Sequence, residues 1–140
     1  MHICKYCGEN KAIENSHIIP SFICAWVKET SPTKALRRTD NPNLRQQDGL
    51  KEPLLCKGCE VEFSTYENEL KRTIFNRIAN YRVECPDELE FSKGAFDCIS
   101  SIAWRALASA YYFPVDNQYT DAEFEKIPDF FIIVSSSLSY

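Results

Sequence analysis

Two cysteine pairs, "CKYC" at Cys4 and Cys7 and "CKGC" at Cys56 and Cys59, restrict this chain more than any other feature. A CxxC offers two thiolates from one tight turn, and two such turns complete the four-ligand tetrahedral shell that zinc takes. Chance placement of seven cysteines in 140 residues gives roughly 0.3 CxxC pairs, so two are informative. Cys4, Cys7, Cys56 and Cys59 are therefore the expected ligands of a structural Zn²⁺. The same spacing leaves unlinked core thiols or a redox pair as alternatives, although neither pair has the setting of a thioredoxin-like motif. Gly8, directly after Cys7, is free to take the left-handed turn that closes a knuckle. The other cysteines are isolated, and Cys24 in "FICAWV" and Cys98 in "AFDCISSIAW" read as small core residues.

A length of 140 residues suits one compact domain, divided here into a metal-binding core over 1–80 and a helical extension over 81–140 packed on it. No apolar run is long enough to span a bilayer. The first residues lack the basic-then-apolar pattern of a secretory signal, so a cytoplasmic protein is expected. In that reducing setting paired cysteines bind metal more often than they form disulfides. The net charge of −4 is unevenly spread, +3 over residues 1–58 and −7 over 59–140. A basic N-terminal face suits nucleic acid, yet the chain is no strongly basic binder of phosphate backbones.

Periodicity and turn signals predict an α+β fold. "MHICKYCGEN" reads as a short strand entering a knuckle, and "KAIENSHIIP" as a second short strand stopped by Pro20. A helix is expected from Ser21 to just before Ser31-Pro32. Residues 31–53 are polar, basic and turn-rich, either a binding loop or a solvated linker. The clearest helix begins beside Cys59, with Val61, Phe63, Tyr66, Leu70, Ile74, Phe75 and Ile78 on one stripe. Another is expected from 92 to about 112, its apolar face built from Ala95, Phe96, Ile99, Ile102, Ala103, Ala106 and Ala110. A capping box at 120–123 opens a short further helix, and "DFFIIV" at 129–134 reads as a strand or an apolar anchor, with a homodimer formed there as an alternative.

In their order, "CKYCG", "SHIIPSF", "NPNLRQQDGLKEPLLCKGCE" and "STYE" resemble the zinc-containing HNH, or ββα-metal, endonucleases, and in particular a group of bacterial and phage HNH-like proteins. The resemblance covers about residues 1–75, with a weaker echo at "IAWRAL". It implies a treble-clef, ββα-metal zinc-binding core followed by a mainly helical C-terminal part, and hydrolysis of phosphodiester bonds in DNA, in a phage or defence setting. By the same resemblance His17 takes the place of the general base. Ser16 and Glu60 take the two positions that hold a catalytic Mg²⁺ or Mn²⁺. Ser16 stands where the family has Asp, Glu or His, and Glu60 where it has Asn or His. Glu14 and Asp48 are candidates to supply the missing charge, and Arg37, Arg38, Arg45 and Lys51 are candidates to grip nucleic-acid phosphates.

Each residue has a plainer reading too. His17 can simply bond backbone at a strand end, and Glu60 suits a first helical turn whatever its function. Ser16 alone reads as structural, the arginines as a solvated face, Arg105 as a surface or salt-bridging residue, and His2 as incidental. Two functions compete: an HNH-like metal-dependent endonuclease, and a catalytically degenerate treble clef that binds protein or nucleic acid as a regulator or inhibitor.

Overall fold

Pro20, with φ −49°, leads into helix α1 (Ser21–Thr30), and the extended Ser31 ends it, its N–H donating to the Val27 carbonyl at 2.9 Å. These limits are the ones its flanking prolines set. The computed structural model describes residues 1–39, 41–114 and 126. The expected capping box at 120–123, the segment at 129–134 and the self-association tied to it lie outside the described residues.

The strands are two residues each, and one of the two pairings is distant in sequence while the other is local. β1 (Ser16–His17) runs antiparallel to β4 (Lys51–Glu52), with Ser16 opposite Glu52 and His17 opposite Lys51. Between them, β2 (Leu36–Arg37) pairs with β3 (Arg45–Gln46). Helices plus small antiparallel sheets make the class α+β.

Between the segments expected as the first and second short strands there is a single bridge, Ile3 with Lys11. The His17 strand instead takes its partner from the far side of the basic excursion. Burial explains this choice. Leu54 and Leu55 are wholly buried, and the carbonyls of Leu50, Leu54 and Leu55 accept from the N–H groups of Ile18, Lys5 and Ile13. Segment 50–55 is thus the central ribbon on which both N-terminal arms lie, because sinking two leucines outweighs the short local hairpin.

Helix α2 (Lys57–Leu70) starts inside the second CxxC and continues through a π-helical turn (Lys71–Phe75) into α3 (Asn76–Ile78). Its stripe holds at Phe63, Leu70 and Ile74, whereas Val61 and Ile78 are exposed. Helix α4 (Lys93–Tyr112) begins at Ser92, whose Oγ accepts from the Ala95 N–H at 3.2 Å. Its buried face matches the expected one at Ala95 and Ala110 and otherwise departs from it. Ala95, Cys98, Ser101, Trp104, Arg105 and Ala108 are buried, while Phe96 and Ile99 are exposed. Small residues on that face let α4 lie close against α2, and an Arg is admitted because α2 supplies Glu67 as its partner.

Ile18, Leu54, Leu55, Phe63, Trp104 and Ala108 form one core with the cysteines of both knuckles. Tyr6 stands edge-on to Phe63 at 4.8 Å and to Trp104 at 5.4 Å, so the first knuckle is clamped by α2 and α4 together. A second cluster, Leu70, Ile74, Ala95 and Cys98, continues the α2–α4 seam beneath Phe22 of α1.

Candidate metal centre and the His17 face

The two CxxC turns meet. The Sγ atoms of Cys4, Cys7, Cys56 and Cys59 all lie within 4.8 Å of one another, and Cys7 and Cys56 are 3.9 Å apart. Four sulfurs about 2.3 Å from a tetrahedral zinc are about 3.8 Å from each other, so this cluster has the size of a zinc shell. Local backbone builds it. Gly8 takes φ +72° and donates to the Cys4 carbonyl at 3.0 Å, while Glu60 N–H donates to the Cys56 carbonyl at 2.9 Å as α2 starts.

The thiols are electrostatically at odds. Backbone N–H groups of Asn10 and then Glu9 pull the Cys7 thiol down to about 6, whereas burial, then hydrogen bonding with Cys56 and Cys4, pushes the Cys59 thiol far up. A divalent cation resolves the conflict by supplying the positive charge that lets all four ionise. The donor set is soft, compact and largely buried, and it could bind a metal such as zinc. Among the described residues it is the one group of three or more His, Cys, Asp or Glu side chains close enough to share an ion.

Strand β1 sends its two residues in opposite directions, as alternation requires. Ser16 is wholly buried, and its hydroxyl donates to Glu60 Oε1 on the first turn of α2. Glu52, opposite Ser16 in register, belongs to this same face, and burial raises its carboxyl. His17 points the other way. Its Nε2 lies 3.0 Å from Asp48 Oδ1, and Asp48 Oδ2 lies 2.5 Å from Lys51 Nζ. Lys51 first, then His17 and the Gly49 N–H, hold the Asp48 carboxyl well below the usual carboxylate range. An ionised carboxylate only accepts, so Nε2 carries the hydrogen, and in the neutral ring it is then Nδ1 that has the lone pair.

The candidate residues therefore sort into three places. Ser16 meets Glu60, Asp48 joins His17 rather than Ser16, and Glu14 is exposed. Lys51 is committed to Asp48, whereas Arg37, Arg38 and Arg45 are exposed, with Arg37 directly across from Arg45 and its Nη1 on the Pro42 carbonyl. Arg105, expected at or near the surface, is 1 % exposed. Its Nη1 reaches both Glu67 Oε1 at 2.9 Å and the His17 carbonyl at 3.1 Å, so the salt-bridging part of the expectation holds and the surface part does not. This tether on β1 escaped the sequence because no local signal joins residues 17, 67 and 105.

For a catalytic cation, Ser16 and Glu60 offer one carboxylate, one of whose oxygens already takes the Ser16 hydrogen. Magnesium is commonly held by one or two carboxylates together with substrate phosphates, so these residues fit an ion that arrives with substrate. Among the described residues no helix is long and apolar enough to cross a membrane. Comparison with protein-family models, curated proteins and solved structures returns no match.

Proposed function

We propose that the chain is an HNH-like, metal-dependent endonuclease acting on DNA, built on a treble clef whose zinc is structural. The observation that carries this reading is the His17–Asp48 pair on a strand anchored beside the cysteine cluster. Asp48 fixes the ring and leaves Nδ1 as the base. That nitrogen takes a proton from water as its oxygen attacks phosphorus, and the scissile P–O bond breaks on the opposite side. Asp48 faces the imidazolium that forms, sharing its single negative charge between that ring and Lys51. Glu60, the position the resemblance gives to a cation ligand, lies with Ser16 across β1 from the imidazole. To serve the same phosphate, a Mg²⁺ or Mn²⁺ held there would have to be bridged to it by substrate oxygens; when bound it would supply charge neutralisation. The exposed Arg37, Arg38 and Arg45 extend a positive flank for the backbone. A reducing cytoplasm suits four metal-bound thiolates.

The test is a nicking assay on plasmid and on single-stranded DNA with Mg²⁺ or Mn²⁺. His17→Ala is expected to lower the rate by about a hundredfold or more. Equal rates in parent and variant, or none in either, sink the catalytic reading.

The closed Ser16–Glu60 pair favours a second reading, a degenerate treble clef that binds nucleic acid or protein as a regulator. Binding that survives neutralisation of both His17 and Glu60, without turnover in the parent, is the outcome that selects it.

A further inference from the structure

An open cleft of about 960 Å³ lies between the C-terminal end of α1 and the segment that follows the π-helical turn. Its walls carry Trp26, Phe75 and Tyr81, with Lys34 and Arg82 as cations and Asn80 among the amides. None of these residues belongs to the cysteine cluster or the His17 face.

The indole of Trp26 is held before any ligand comes. Its Nε1 donates to the Ala79 carbonyl at 3.3 Å, and Phe75 stands edge-on to it at 5.7 Å. Phe75 is in turn edge-on to Phe22 at 5.0 Å. The π-helical turn ends at Phe75, and such turns often mark functional sites. Even so, Trp26 remains 37 % exposed, and Tyr81 is 79 % exposed. Arg82 lies 5.7 Å from the Tyr81 ring centre, so a cation and a stacking surface are presented together. Lys34 adopts φ +52°, rare for a side chain of its size, and its Nζ donates to the Glu29 carbonyl at the end of α1.

Three aromatic rings beside Glu29 would also suit a quaternary ammonium ligand, as in aromatic cages. Lys34 and Arg82 argue against it, since both would repel a cationic guest. An anionic ligand with flat apolar rings suits both cations and the three rings, and Glu29 is the one charged wall that opposes it. We infer that this cleft binds unpaired nucleotides of a single-stranded nucleic acid, bases against Trp26 and Tyr81 and phosphates toward Arg82 and Lys34. In duplex the base faces are stacked on their neighbours and closed to such rings. The inference rests on the nuclease reading only in calling the strand a substrate; binding is measurable without turnover.

The experiment titrates the full-length chain into fluorescein-labelled octathymidylate, and into the same strand annealed to its complement, without added divalent cation. The single strand is expected to bind more tightly, with quenching of Trp26 emission. Tyr81→Ala and Trp26→Ala should each weaken it by about tenfold, within the range for loss of one base stack. With two phosphates contacted, log K should fall against log salt with a slope of about −1.4. A parent chain that binds the single strand but does not cut it once Mg²⁺ or Mn²⁺ is added sinks the nuclease reading and leaves the cleft assigned. Tyr81→Ala and Arg82→Ala decide the matter should Trp26→Ala fail to fold. Equal affinity for duplex, no effect of Tyr81→Ala, or preferential binding of a trimethyl-lysine peptide overturns the inference.

Discussion

His17 is held from two directions, its ring by Asp48 and its carbonyl by Arg105, and the two holds are separable by mutation. Asp48→Asn keeps an acceptor but removes the charge that balances an imidazolium, so nicking should fall by about tenfold or more while the fold persists. The same variant reports on acid stability. A carboxyl depressed in the folded state stabilises above its unfolded value, near 3.9, and that stabilisation is lost as pH falls toward the folded value. Urea midpoints of the parent should therefore decline between about pH 5 and pH 2 more than those of Asp48→Asn. Half-exposure of the carboxylate keeps the difference to about 1 kcal/mol or less. Arg105 stands in the opposite regime. Arg105→Met strips the donor from Glu67 and from the His17 carbonyl inside the core, and should cost about 3 kcal/mol. Adding Glu67→Gln should return part of that loss; a cost below about 1 kcal/mol for Arg105→Met would deny the tether any role.

At the scale of elements, what was legible in the sequence had a local cause. Proline fixed both ends of α1, Ser92 announced α4, and the knuckle spacing announced the cysteine cluster. Strand pairing was not legible, because it is decided by the burial of Leu54 and Leu55, far along the chain from both N-terminal arms. The face of α4 is decided in a related way. Phe96 and Ile99 stay exposed while Trp104 fills the core beside Phe63 and Tyr6, and the turn of the helix that sinks Trp104 also sinks Arg105, whose charge partner only the folded chain reveals. Within the candidate site, His17 and Glu60 are singled out by the motif resemblance, but the division of β1 into a Ser16 face and a His17 face required the register with β4. Gly94 tests the close seam. Alanine normally favours a helix over glycine by about 1 kcal/mol, but a Cβ here would fall 2.8 Å from Glu69 Cγ. Glu69 cannot swing aside cheaply, since Arg72 and Ser92 hold it at 2.9 and 3.0 Å. Gly94→Ala should thus destabilise by about 1–2 kcal/mol in urea unfolding, and a gain in stability would mean that the seam is loose.

Across the whole molecule, the cysteine cluster and the apolar core are one body: Cys4, Cys56 and Cys59 share a cluster with Leu54, Leu55, Phe63 and Trp104. A domain of this size has about 5–15 kcal/mol of stability, and a structural zinc contributes an apparent binding free energy of about 10–16 kcal/mol. If zinc fills the cluster, its removal is therefore expected to unfold the protein rather than loosen one loop. Trp104, 2 % exposed and against Tyr6 of the first knuckle, is the natural reporter. Titration with a strong chelator should release about one zinc per chain. Helical circular dichroism should be lost, and tryptophan emission should shift to longer wavelength, over the same range. Acidification should bring the transition to lower chelator concentration, because protons compete with metal for four thiolates and Cys59 is the site that burial most disposes to take one back. Cys59→Ser should resemble the chelated chain. The α2–α4 seam contains a second cluster, Leu70, Ile74, Ala95 and Cys98, with no ligand in it. Should helicity and Trp104 emission both persist after all metal is gone, that seam alone suffices to hold the fold, and the cysteines are not its keystone.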